Sequence, residues 1–129
     1  MNHTVIATCE KCHQRANIVH DFFTCDEIQA FWNEVYDMVN NICKYPLANL
    51  TINNILFGLY NGTIYDTVNH VIIYAKYFIH KQKIQKNKLY FKHFISFYKI
   101  ILNTEKERYT MLDNLPTFHK RFDILLENI

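Results

Sequence analysis

From Cys25 onward the chain repeats apolar residues at the spacing of an α-helix. Ile28, Phe31, Trp32, Val35, Val39 and Ile42 fall on one face, with Glu27, Asn33, Glu34, Asp37 and Asn40 between them. This pattern predicts an amphipathic helix of about 18 residues that Pro46 ends. Thr24 or Asp26 is placed to cap it, and the early acids suit its positive end. Thr51 is placed to cap a short helix carrying Ile52, Ile55, Leu56 and Leu59. Asn61-Gly62 then marks a turn; the same pair is also a hairpin signal, weakened by poor alternation on either side. From about Asp66 to Lys83, the residues Val68, Val71, Ile72, Ala75, Phe78 and Ile79 form another apolar face. Ile73 and Tyr77 lie opposite it beside Lys76, His80 and Lys83, so this helix is apolar over most of its circumference. Such a helix is central to a bundle or covered by a partner. A further helix is expected from Leu89 to about Met111 through Phe94, Ile95, Tyr98, Ile101 and Leu102. Glu105, Lys106, Glu107 and Arg108 make its solvated end. After Leu115-Pro116, a last helix carries Phe118, Phe122, Leu125, Leu126 and Ile129, with Pro116 near its start.

The first 25 residues differ. They lack helical periodicity and hold little apolar surface, so burial alone does not fold them. The whole chain has 129 residues, half of them apolar and 16% aromatic. That suits one domain with a substantial core. Only two Gly and two Pro occur, too few for the tight turns of a sandwich or barrel, which again favours helices.

The net charge of +2 says less than its distribution. Glu10, Asp21, Asp26, Glu27, Glu34 and Asp37 crowd the front of the chain, whereas residues 67–104 contain no acid. That acid-free stretch holds Lys76, Lys81, Lys83, Lys86, Lys88, Lys92 and Lys99. An acidic front and a basic middle point to polyanions as ligands to be tested. No run of apolar residues is long enough to predict a transmembrane helix. Met1 to Ala7 lack both a basic region and an apolar region of the secretory kind. An intracellular protein is expected, nucleus and cytoplasm being equally compatible. The sequons at Asn2, Asn49 and Asn61 are then coincidences of an Asn-rich chain.

Three of the four cysteines cluster with a histidine. Cys9 and Cys12 are separated by two residues, His20 follows after seven more, and Cys25 after another four. Zinc takes four soft or borderline ligands in a tetrahedron, and three cysteines with one histidine are a standard closed set. Cys25 opens a helix, where the dipole favours the thiolate that binds metal. A redox reading of the Cys-x-x-Cys pair competes, but such pairs belong to a strand-to-helix context that residues 1–12 lack. His13 and His3 are alternatives to His20; His13 adjoins Cys12 and is geometrically strained as a ligand. Four protein ligands leave no position for water, so one structural Zn2+ is expected, with no catalytic role. Cys43 reads as a small buried apolar residue of the first helix. His70, His80, His93 and His119 are dispersed and read as ordinary surface or capping histidines. The expected architecture is all-α. A zinc knuckle over residues 1–25 is followed by a bundle of four to five helices over residues 26–129, packed with it as one domain.

The run Cys9-x2-Cys12-x7-His20-Asp-Phe-Phe-x-Cys25, followed by Phe31-Trp32, resembles the zinc-binding region at the C-terminal side of reverse transcriptases of non-long-terminal-repeat retrotransposons. Ile55-Leu56-Phe57-Gly58 and the segment from Val71 to Lys81 resemble the helical tail of that region, so the likeness spans nearly the whole chain. It implies a non-catalytic accessory domain that helps a polymerase engage RNA or DNA. The polymerase core, its Tyr-x-Asp-Asp motif and an endonuclease are missing, which makes the chain a fragment, a domesticated module or a remnant. Nucleic-acid contact is expected at Lys76, His80, Lys81, Lys83, Lys86, Lys88 and Lys92. Lysines neutralise phosphates there, and the interleaved Tyr74, Tyr77, Tyr90, Phe91 and Tyr98 offer faces to unpaired bases. The same lysines also suit a merely solvated face, and the same aromatics suit a core. The alternative is a protein-interaction module that docks a polymerase body or another chain through Ile73 and Tyr77. An enzyme is not expected.

Overall fold

The computed structural model describes residues 25–42 and 63–129. Within them lie four α-helices and no strands: α1 (Asp26–Ile42), α2 (Thr63–Ile84), α3 (Phe91–Met111) and α4 (Leu115–Asn128). The expected helical class holds for these residues. Cys9, Cys12, His20, Cys43, the short helix from Thr51, the Asn61-Gly62 turn and the side chain of Ile42 lie outside the described residues.

Each helix buries the face its periodicity marks out. On α1 the buried set is Ile28, Phe31, Trp32, Val35 and Val39, and on α2 it is Val68, Val71, Ile72, Ala75, Phe78 and Ile79. On α3, Phe94, Tyr98 and Leu102 are fully buried, while Ile95 and Ile101 pack at the margin. On α4, Phe118, Phe122 and Leu125 are buried, but Leu126 sits at the exposed edge instead of in the core. Each large side chain removed from water in this way contributes roughly 1.5–3 kcal/mol.

α2 and α3 form an antiparallel hairpin: Phe78 meets Phe94, and Tyr74 and His70 meet Tyr98. α4 folds back against the three others. The core is aromatic. Phe31 of α1 stacks on Phe78 of α2 at 6.2 Å. It also sets its ring edge-to-face against Trp32 at 5.8 Å and Phe94 of α3 at 5.4 Å. Three helices therefore meet at one side chain. Edge-to-face and offset contacts align the negative ring face with a positive edge, adding about 0.5–1.5 kcal/mol per pair beyond burial.

The helix ends explain the connections. Cys25 occupies the cap position of α1, its carbonyl accepting the Gln29 amide at 2.8 Å, one residue before the Asp26 that the sequence offers for this role. α2 ends in a Schellman motif. The Asn87 amide bonds the Gln82 carbonyl, the Lys86 amide bonds that of Lys83, and Lys86 between them is left-handed at φ 56°. α3 ends the same way, through Asn114 to Tyr109 and Asp113 to Thr110, with Asp113 at φ 54°. Glycine takes this conformation without a Cβ penalty, whereas for a lysine it costs about 1 kcal/mol. Lys86→Gly should therefore raise stability by about 0.5–1 kcal/mol, read as a higher urea midpoint with unchanged slope; a lower midpoint contradicts the assignment.

Candidate nucleic-acid interface

The seven positions expected to contact nucleic acid separate into distinct environments. Lys76 is half-buried on α2, and desolvation pushes its ammonium below the usual lysine range. A lysine held in this way is a poorer phosphate ligand than one in open solvent. His80, Lys81 and Lys83 are exposed on the last two turns of α2. Lys86 and Lys88 are exposed in the connection, and Lys92 is exposed in the first turn of α3. The basic end of the hairpin is real, but part of its charge has a local use. Lys81 and Lys83 lie in the last turn of α2, where cations complement the negative helix end.

Two of these lysines sit over aromatic rings. The Lys81 ammonium lies 5.8 Å from the centre of Phe97, and that of Lys88 lies 5.4 Å from the centre of Tyr90. Both distances fall within cation–π range, where an exposed pair contributes about 0.5–1 kcal/mol. Tyr77 is 53% exposed and stacks on Phe97 at 5.8 Å with only 21° between the rings. Tyr90 is 46% exposed, and the His93 ring meets it at 5.1 Å. The other aromatics of the basic stretch serve the core. Tyr98 is fully buried, Phe91 packs on Phe31 and Phe94, and Tyr74 lies between Tyr98, Phe97 and His70. The interleaved pattern thus resolves into two exposed tyrosines and three inward rings.

The connection carrying Lys86 and Lys88 is held from the other side. Glu27 of α1 accepts the Leu89 amide at 2.8 Å across 62 residues of chain. A carboxylate so engaged fixes where the lysine loop leaves α2 and enters α3. On the opposite side of α3, an open groove of about 330 Å³ lies between Glu34, Asp37 and Met38 of α1 and Phe91 and Ile95 of α3. Its carboxylates give it the wrong sign for phosphate.

A half-buried polar group that the sequence leaves unmarked lies between α2, α3 and α4. His70 Nδ1 is 2.7 Å from the Tyr98 hydroxyl, and its ring packs on Phe122 at 4.9 Å. Burial lowers its pKa from 6.5 to about 4, assisted by the Arg121 guanidinium and opposed by Glu105. Burial pushes the Tyr98 phenol well above its usual range, so both partners stay neutral. Arg121 reaches the Tyr109 hydroxyl at 3.4 Å, yet its buried Nε has no hydrogen-bond partner among the described residues. Thr67, also buried, donates to the Arg121 carbonyl at 2.8 Å. His70 is accordingly a half-buried histidine turned onto the core through Tyr98 and Phe122, not the ordinary surface or capping residue expected. His80, His93 and His119 are exposed, and His119 pairs with Asp123 one turn along α4 at 2.8 Å.

Of the expected zinc ligands, Cys25 is the one within the described residues. It is 3% exposed and stands at the N-terminus of α1. Among the described residues no three metal-ligating side chains converge, and no helix is long and apolar enough to cross a membrane. Comparison with protein-family models, with characterised proteins and with solved structures finds no match to this chain.

Proposed function

We propose that the chain is a zinc-stabilised, non-catalytic nucleic-acid-binding module of the accessory kind that its resemblance to retroelement reverse transcriptases implies. The observation that carries this reading is the basic end of the α2–α3 hairpin. There Lys81, Lys83, Lys86, Lys88 and Lys92 are exposed together on two helices and a turn. No acid occurs in the chain from residue 67 to 104, so these lysines have no acidic neighbour in sequence. Phosphates replace condensed counterions at such a surface, and their release drives binding. In this reading Zn2+ ties residues 1–25 to α1 through Cys9, Cys12, His20 and Cys25. The position of Cys25 fits that role, because the positive end of α1 stabilises a thiolate.

The test is binding of a labelled single strand and a labelled duplex at several salt concentrations, with metal analysis of the same preparation. One zinc per chain and an affinity falling steeply with salt are expected. Replacing Lys83, Lys86 and Lys92 by Gln should weaken binding. It should also flatten the log–log salt slope by up to about 2 for single strands and somewhat more for duplex. An unchanged slope in the folded variant rejects the lysine surface, and folded protein without zinc rejects the knuckle.

A second reading rests on apolar exposure. Ile73, Ile84 and Ile100 are 58%, 67% and 65% exposed around the same hairpin. Together with Tyr77 they make a surface to which a polymerase body or another protein chain could dock. Concentration-dependent association of the pure chain, or binding that ignores salt, favours this reading.

A further inference from the structure

Three exposed rings of the hairpin, Tyr77, Tyr90 and His93, stand beside the half-buried Phe97. His93 and Phe97 lie about 40° apart around α3 at ~100° per residue, Tyr90 precedes them at the cap position, and Tyr77 of α2 stacks directly on Phe97. Tyr90 and His93 are in contact at 5.1 Å. The result is a row of two ring pairs on the hairpin, Tyr90–His93 and Tyr77–Phe97. From Tyr90 to Phe97 it extends about 10 Å at 1.5 Å per residue. That is about three base steps of 3.4 Å. A lysine ammonium is seated at each end, Lys81 over Phe97 and Lys88 over Tyr90.

We propose that Tyr77, backed by Phe97, and Tyr90 with His93 form a stacking platform for unpaired bases, with Lys81 and Lys88 meeting the flanking phosphates, so that the preferred ligand is single-stranded nucleic acid. The proposal rests on the nucleic-acid reading above and goes further by naming which form is bound and by what contact. Flat exposed faces reward a base whose own face is free, and every base has such a face. A duplex hides its faces and presents phosphates alone, so it gains from the lysines but not from the rings. The chemistry also speaks against a protein ligand on the strip itself. Cores of protein interfaces are depleted of charge, whereas here an ammonium lies against each ring pair. The acidic groove beside α1 is lined by none of these rings or lysines.

The test uses the full chain with four probes of equal length: an oligo(dA) strand, an oligo(dT) strand, a strand of abasic sugar-phosphate, and a duplex. Tyr77→Leu keeps apolar bulk against Phe97 while removing the flat face, Tyr77→Phe keeps the face, and Tyr90→Ala removes the other exposed ring. The wild type should bind both base-bearing strands more tightly than the abasic strand or the duplex at the same salt. Tyr77→Leu and Tyr90→Ala should each weaken base-bearing strands by about 5- to 150-fold. They should leave the abasic strand, the duplex and the salt slope unchanged, and Tyr77→Phe should bind like the wild type. Loss on all four probes together, equal loss in Tyr77→Phe, or unchanged affinity in Tyr77→Leu and Tyr90→Ala overturns the platform. If the tyrosine variants are silent while the lysine variants lose binding, the nucleic-acid reading survives and this proposal does not. If no probe binds and Tyr77→Leu instead abolishes self-association of the chain, both fall and the strip is a protein contact.

Discussion

Replacing Phe31 by Ala should cost about 3–5 kcal/mol, the range for removing a large buried aromatic side chain. Phe31 is 2% exposed, and its ring touches Trp32, Phe78, Phe91 and Phe94, so the cavity opens where α1, α2 and α3 meet. Two terms add. The removed carbons lose their transfer free energy, and the rings left behind lose dispersion contacts that they regain only by moving. A domain of this size is stable by roughly 5–15 kcal/mol in all, so the variant approaches the limit of folding. Trp32 is adjacent and almost fully buried, which makes its fluorescence the natural reporter of urea unfolding. Phe31→Leu should lose distinctly less, because it fills much of the space. A loss below about 1 kcal/mol in Phe31→Ala would mean that Phe31 does not join the three helices.

Acidification should destabilise the domain through His70. Its folded pKa is lowered from 6.5 to about 4, so the unfolded chain binds more protons between those values. Stability due to this group is therefore complete above about pH 6.5 and is lost as pH falls toward 4. A shift of that size corresponds to up to ~3 kcal/mol, reduced because the ring keeps some solvent contact. The charged groups beside it act in opposite directions: Arg121 disfavours the imidazolium and Glu105 favours it, with burial the larger influence. His70→Asn keeps an amide near the position of Nδ1, within reach of the Tyr98 hydroxyl, but does not titrate. The stability difference between wild type and variant should shift in favour of the wild type as pH rises from about 4 to 6.5, then level off. Surface carboxylates titrate in both proteins and cancel. A difference independent of pH would show that His70 is protonated as easily in the folded protein as in the unfolded one.

The helices are legible in the residues alone because a helical face is a local property. Spacing of 3.6 residues places Val68, Val71, Ile72, Ala75, Phe78 and Ile79 on one side of α2 whatever they pack against, and all are buried. The same spacing puts Ile73 and Tyr77 on the outward side, where both are exposed. Helix ends are less legible: Lys86 and Asp113 take left-handed positions that a glycine usually marks, so the two Schellman motifs have no residue signature in this chain.

What composition and spacing determined by themselves was an all-helical body over the described residues, its buried faces, and a basic segment free of acids. They could not decide which lysines and rings of that segment stand together. Lys76, Lys81 and Lys88 are alike as letters, yet one is half-desolvated on α2 and the others lie over Phe97 and Tyr90. Spacing marks Tyr77 as outward and Tyr98 as inward, but it does not show that Tyr77 is seated on Phe97. His70 is distinguished from the other dispersed histidines only where α3 brings Tyr98 to it, and Glu27 from an ordinary helix-start acid only where it meets Leu89. These outcomes depend on how far each helix is rotated and slid against its neighbours. The apolar stripes of several helices must be satisfied at once to set that rotation, so the surface chemistry of this protein is decided by its tertiary packing.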